Sequence, residues 1–92
     1  MSGASLMLIL KPNCECCDVD LPPESPRARS CSFECTFCAE CASARFNDTC
    51  PNCGGELLRR PIRPAALLVK FPASTKRFNK AHAACADVQG AL

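Results

Sequence analysis

Between Cys14 and Cys53, eight of the nine cysteines follow the order C-x2-C-x13-C-x3-C-x2-C-x2-C-x8-C-x2-C, and four of them crowd into residues 31–41, C-S-F-E-C-T-F-C-A-E-C. No other feature constrains the fold as strongly, because the same stretch offers little else to build a core from. Its sizeable apolar residues between Lys11 and Glu56 are Val19, Leu21, Phe33, Phe37 and Phe46. Buried, each contributes about 1.5–3 kcal/mol. Ordering the backbone of about forty-six residues costs on the order of 1–2 kcal/mol per residue. The overall apolar fraction of 48% does not close that gap, since ten of those residues are Cys, many more are Ala, and Trp and Tyr are absent. Cysteine chemistry must hold this segment together.

Four chemistries compete for such a pattern. C-x-x-C recurs at 14/17, 35/38, 38/41 and 50/53. That spacing lets one tight turn bring two sulfurs to about 2.3 Å from a single Zn²⁺, with turn N–H groups donating to the thiolates. Gly54 and Gly55, directly after Cys53, suit such a turn. Eight ligands make two tetrahedral sites. An iron–sulfur reading takes Cys35, Cys38, Cys41 and the Cys50-Pro51 pair as a ferredoxin-like run, but its last gap is eight residues and Cys14, Cys17 and Cys31 go unused. Disulfides have an even cysteine count in their favour. A redox C-P-x-C at Cys50 and Cys53 requires a βαβ context that the surrounding loops do not offer. The N-terminus M-S-G-A-S-L-M-L-I-L lacks the basic start and long apolar run of an export signal, and no stretch approaches a membrane span. The expected compartment is therefore cytoplasmic, where thiols stay reduced and such patterns bind metal.

In ligand order the chain resembles a RING finger. Cys35-Thr-Phe37-Cys38-Ala-Glu-Cys41 and Cys50-Pro51-Asn-Cys53 follow the middle and final parts of that motif, with Cys35 in place of its usual His. The resemblance implies a cross-brace, with Cys14, Cys17, Cys38 and Cys41 on one zinc and Cys31, Cys35, Cys50 and Cys53 on the other. Sequential pairing, with Cys14, Cys17, Cys50 and Cys53 in one site and Cys31, Cys35, Cys38 and Cys41 in the other, is the alternative. Three residues separate the third and fourth ligands rather than one, Glu15 stands where ubiquitin ligases often carry an apolar contact, and no Trp is present. These departures weigh against ligase activity. A second resemblance covers residues 10–78: L-K-P-N-C-E-C-C-D-V-D-L-P-P, C-S-F-E-C-T-F-C, C-P-N-C-G-G-E-L and R-P-I-R-P are similar to a short bacterial family known as domain of unknown function 1272. It implies zinc binding in a bacterial cytosol and no assigned activity.

The expected fold is a small metal-stabilised domain, RING-like and cross-braced around two Zn²⁺, with little regular secondary structure. It comprises a zinc-binding domain over residues 6–58 and a basic, proline-containing strap and short helical tail over 59–92. Residues 6–10 read as a short strand, 21–26 as a proline-rich loop, 39–46 as a short Ala-rich helix, and 59–64 as an extended strap. Residues 65–71 form a second apolar run. Ser74 is placed to cap a helix over 75–86 with Phe78, His82 and Cys85 on one face, and the last residues are expected to fray. Cys16 reads as a thiol near the metal, or less readily as a substitute for Cys14. Cys85, with His82, reads as uninvolved.

Residues 1–56 carry four basic and eight acidic residues, a net −4, whereas residues 57–92 carry seven basic residues and one acid, a net +6. The tail either folds back on the acidic head or is simply solvated, or it meets nucleic acid or an acidic protein surface. His82 is the sole histidine and no nucleophile–base set is available, so the expectation is not an enzyme but a non-catalytic zinc module that docks a protein. The alternatives are a nucleic-acid-binding regulator using Arg59, Arg60, Arg63, Lys76, Arg77 and Lys80, and an iron–sulfur electron carrier.

Overall fold

The computed structural model describes residues 8–79 and 82–85. Regular elements are few and short. They are β1 (Ala28–Ser30), β2 (Thr36–Cys38), α1 (Ala39–Ala44), β3 (Leu58–Arg59) and α2 (Ala65–Leu68), followed by a 3-10 turn at Ala83–Cys85. The strands form an antiparallel sheet in the order β2-β1-β3, with Arg29 opposite both Phe37 and Arg59.

Two local devices set this small frame. Helix α1 follows β2 without a loop, because Cys38 is in extended conformation and its side chain accepts from the backbone N–H of Cys41, so a thiol serves as the cap. The helix ends at Ala44, and the turn after it passes through Asn47 and Asp48, which both take positive φ, a conformation that short polar side chains tolerate better than others do. The amide of Asp48 donates back to the Ala42 carbonyl at 2.7 Å.

Half of the buried apolar positions are cysteines: Cys14, Cys16, Cys31, Cys38, Cys41, Cys50 and Cys85 share the interior with Leu10, Leu21, Ala28, Phe37, Ala42, Phe46 and Leu57. The scarcity of apolar side chains read in the sequence is thus a property of the folded interior. Phe37 and Phe46 meet edge-on, 4.8 Å between centroids, and supply the aromatic part of the core.

Two expected elements take other forms. Leu8–Leu10 is not a strand. Its backbone is claimed by side chains and by the strap: Arg63 donates to the Leu8 carbonyl, Ile9 N–H donates to Glu34, and Leu10 accepts from Ser74 N–H. Residues 6–7 lie outside the described residues. The helix expected over 75–86 is absent from 75–79, and 83–85 forms a single 3-10 turn. The Ser74 hydroxyl accepts from Lys76 N–H within a local turn. The Phe78 amide and carbonyl are both taken by the side chain of Asn13, which leaves them unavailable to a helix. The expected fraying at the C-terminus, like Lys80, falls outside the described residues. Conversely, Ala65–Leu68 folds as a helical turn behind Pro64.

Candidate metal centre

The two terminal cysteine pairs sit in turns of the same design. In the first, Asn13 bridges Asp20, Cys14 N–H donates to Val19 O and Asp18 N–H donates to Cys14 O. In the second, Thr49 bridges Glu56, Cys50 N–H donates to Gly55 O and Gly54 N–H donates to Cys50 O. Every partner in the second lies thirty-six positions after its counterpart in the first. The residue after the second cysteine has positive φ in both: 68° at Asp18 and 78° at Gly54. A Cβ added at Gly54 would meet nothing within 4 Å. Gly54→Ala should therefore cost only the backbone term, about 1–2 kcal/mol, measurable as a shift in thermal midpoint without loss of bound metal.

The turns point sulfurs inward in two groups. Cys14, Cys17, Cys38 and Cys41 have their sulfurs within 4.8 Å of one another. Cys31, Cys50 and Cys53 form the second group on the same measure. Cys35 stands beside it, its thiol in hydrogen-bonding contact with Cys31 and Cys50. The grouping follows the cross-brace pattern and not the sequential one: β2 and α1 carry Cys38 and Cys41 to the first turn, while residues 31–35 face the second.

Backbone N–H groups surround the sulfurs. Cys16 and Cys17 donate to Cys14 Sγ at 3.4 and 3.5 Å, and Cys41 to Cys38 Sγ at 3.4 Å. In the second group Phe33 donates to Cys31 Sγ, Asn52 to Cys50 Sγ and Gly55 to Cys53 Sγ, at 3.3–3.4 Å. The side chain of Asn52 adds a donor to Cys35 Sγ at 3.3 Å. Such donors favour thiolates over thiols.

The acidities are split within each group. At Cys14, desolvation by burial is outweighed by the backbone N–H groups of Cys17, Cys38 and Cys16, and the thiol lies below its usual range. Cys31 is likewise lowered, with burial opposed by the amides of Phe33 and Cys35. Burial drives Cys38 up to about 11, and the charge on Cys14 adds to it. Burial raises Cys50 to about 12 and pushes Cys41 and Cys35 up as well. Four sulfurs in this proximity cannot all ionise unless a cation joins them.

The geometry fits a tetrahedral ion. With bonds of about 2.3 Å, a tetrahedral tetrathiolate has sulfur–sulfur edges of roughly 3.8 Å, and Cys17 Sγ lies 3.8 Å from Cys38 Sγ. Both groups can hold a metal ion. Cys38→Ser should lower the metal content to about one ion per chain, by removing a ligand shared with no other group, whereas Cys85→Ser should leave it unchanged; elemental analysis of the folded protein reads both.

Residues 7–63 match the family described as "Protein of unknown function (DUF1272)". The chain belongs to this family. It is 66% identical over 74 residues to "Uncharacterized protein R02474" of Rhizobium meliloti (strain 1021), an alignment that covers 80% of this chain and 88% of that protein. No solved structure matches. The matched span of this DUF1272 chain takes in all eight clustered cysteines and ends before Cys85.

Several residues around this DUF1272 site were not legible from spacing. Glu15 is 2% exposed, and its carboxylate accepts from Thr36 N–H at 2.6 Å and from Lys11. Its own N–H donates to Thr36 O, so it splices the first turn onto β2. Asn13 is fully buried and ties the first turn to Phe78. Cys16 and Cys85, treated in the sequence as unconnected leftovers, are joined in a disulfide across 69 residues; the even leftover pair was its sole sequence signal. Several of the basic side chains are committed too. Arg60 is 1% exposed and donates to the carbonyls of Lys11, Leu21 and Pro22. Arg63 donates to Phe71 O and Leu8 O, and Arg77 pairs with Asp18 and Asp20. Among the described residues of the basic tail, Arg77 thus folds back on acidic residues of the head. Among the described residues, no helix is long and apolar enough to cross a membrane.

Proposed function

We propose that this protein is a non-catalytic zinc module of the cytosol, in which Cys14, Cys17, Cys38 and Cys41 hold one Zn²⁺, Cys31, Cys35, Cys50 and Cys53 hold a second, and the folded surface docks a protein partner. The observation that carries the reading is the gathering of cysteine sulfurs into two groups, one with a sulfur–sulfur separation of 3.8 Å. Thiolate donors softened by N–H···S bonds suit Zn²⁺. Four thiolates per ion fill its coordination and leave no position for water or substrate, so the ions shape the chain and do no chemistry. His82, the sole histidine, lies against the rings of Phe37 and Phe46. The protein-docking part rests on large apolar side chains held in solvent: Phe33 at 74%, Leu58 at 60% and Val69 at 88% exposure.

Metal analysis of protein expressed in the cytosol, with native mass spectrometry and a visible spectrum, tests the metal reading. Two zinc ions per chain and a colourless solution are expected. A brown protein carrying iron supports the electron-carrier alternative, and well under one metal per chain overturns both. The nucleic-acid alternative has less to draw on, because Arg60, Arg63 and Arg77 are engaged within the fold. It predicts duplex binding that weakens steeply with salt, and absence of binding at low ionic strength removes it.

A further inference from the structure

We propose that Cys16 and Cys85 form a reversible redox latch that fastens residues 82–85 over the Phe37–Phe46 end of the domain. Ten cysteines are present, and the eight in or beside the two sulfur groups are free thiols. The sulfurs of Cys16 and Cys85 belong to neither group and are bonded to each other. The latch rests on the metal reading in one respect: bound ions hold the other eight sulfurs out of thiol exchange, which leaves this pair as the redox-responsive one. Where clustered thiols stay reduced, an isolated disulfide acts as a transient, sensing bond and not a permanent one.

The placement suits a latch. Cys16 lies between two cysteines of the first group, in a turn fixed by its own backbone hydrogen bonds. Cys85 ends a single 3-10 turn at the far end of the chain. Their Cα atoms are 5.6 Å apart, inside the range a disulfide spans without moving the backbone. Both residues are fully buried, so exchange with a small reagent proceeds through a form in which the 82–85 segment has lifted. Among the described residues, Arg45 donates to the Ala84 carbonyl at 2.8 Å, and the His82 ring rests on Phe46 and Phe37 at centroid distances of 5.8 and 6.4 Å. When the segment lifts, the sulfur groups keep all their ligands. What it uncovers is the edge of the aromatic pair, an apolar surface that is otherwise closed.

The co-reactant is a low-molecular-weight disulfide. On closing, the thiolate of one cysteine attacks a sulfur of the small disulfide and expels one small thiolate; the second cysteine's thiolate then attacks the mixed disulfide and expels the other. Both cysteines are oxidised by two electrons in total, the small disulfide is reduced to two thiols, and the cysteine protons pass to the departing thiolates. Opening is the reverse, driven by two small thiols.

The test equilibrates the full-length, metal-loaded chain in glutathione buffers from fully reduced to fully oxidised. Alkylation with mass spectrometry, metal content, amide hydrogen exchange and binding of an apolar dye are then read together. Oxidation should give one disulfide, Cys16–Cys85, and reduction should expose two alkylatable thiols without releasing metal. Exchange in residues 82–85 should quicken at least about tenfold on reduction while residues 36–44 are unaffected, and dye binding should rise. Cys85→Ser should behave as the permanently open form at every ratio. The proposal is overturned if no Cys16–Cys85 bond forms at any ratio, if exchange in 82–85 is unchanged by reduction, or if reduction expels the metal. A chain that contains no metal yet opens and closes as described sinks the zinc reading and leaves the latch standing.

Discussion

Treating the metal-loaded protein with a strong chelator at neutral pH should unfold residues 14–57 as a unit. The apolar side chains buried with the sulfur groups in that span are Leu21, Ala28, Phe37, Ala42, Phe46 and Leu57, two of which are alanines. At about 1.5–3 kcal/mol for each large side chain, they do not offset the ordering of more than forty residues. Structural zinc supplies on the order of 10–16 kcal/mol per site at neutral pH, comparable to the whole net stability of an ordinary domain, about 5–15 kcal/mol. Without the ion, the elevated Cys38, Cys41 and Cys50 thiols hold their protons, and their hydrogen bonds do not replace metal–sulfur bonds. Amide exchange by mass spectrometry gives the reading: protection at Thr36–Ala44 should vanish on chelation and return when zinc is restored. Because ligands must be deprotonated to bind, acid should release the metal as well. A chain that keeps this protection with its metal gone would show that packing and the Cys16–Cys85 bond hold the fold, and the argument from core poverty would fall.

Replacing Arg60 should have the next largest effect. Its guanidinium donates to Lys11 O at 2.8 Å, Leu21 O at 3.3 Å and Pro22 O at 3.2 Å. Its own N–H donates to Ala28 O. One side chain therefore joins the strap to the entry of the first cysteine turn and to the proline loop that leads into β1. Burial lowers its pKa from the usual guanidinium value but leaves it cationic, because arginine starts so high. Arg60→Met keeps much of the volume and removes the donors, leaving buried carbonyls unmatched at about 1–3 kcal/mol apiece. The expected loss is about 3–5 kcal/mol, or a fall in thermal midpoint of more than roughly 10 °C. Arg59→Met, one residue away and exposed on β3, should stay within about 0.5 kcal/mol of the parent. Equal midpoints for the two variants would mean that Arg60 is not the joint described.

The gathering of the cysteines into two groups that could hold a metal was legible because its information is local. C-x-x-C fixes two sulfurs to one turn whatever surrounds it, and each extra pair narrows the choice of partners. Charge and distance defeated the same reading elsewhere. Glu15 and Arg60 look like surface residues from their chemistry, and nothing within a few positions says that Thr36 or three carbonyls will enclose them. The Cys16–Cys85 bond spans 69 residues, a contact that no window of local pattern reaches. The stretch 75–79 failed as a helix for a related reason: its periodicity was adequate, but Asn13 claims the Phe78 backbone from sixty-five residues away. Asp18 carries a subtler signal. It occupies the position that Gly54 fills in the second turn, and comparing the two cysteine pairs residue by residue would have shown the shared design.

The interleaving of the sulfur groups has a consequence for how the chain comes into being. Cys31 and Cys35, which belong to the second group, lie between the two halves of the first. A polypeptide emerging from the ribosome can complete the first group only once Cys41 is out, and by then it already displays two thiols that must wait for Cys50 and Cys53. No cut places one group on each of two pieces, so the domain cannot be assembled by joining two independently folded parts that hold one group each.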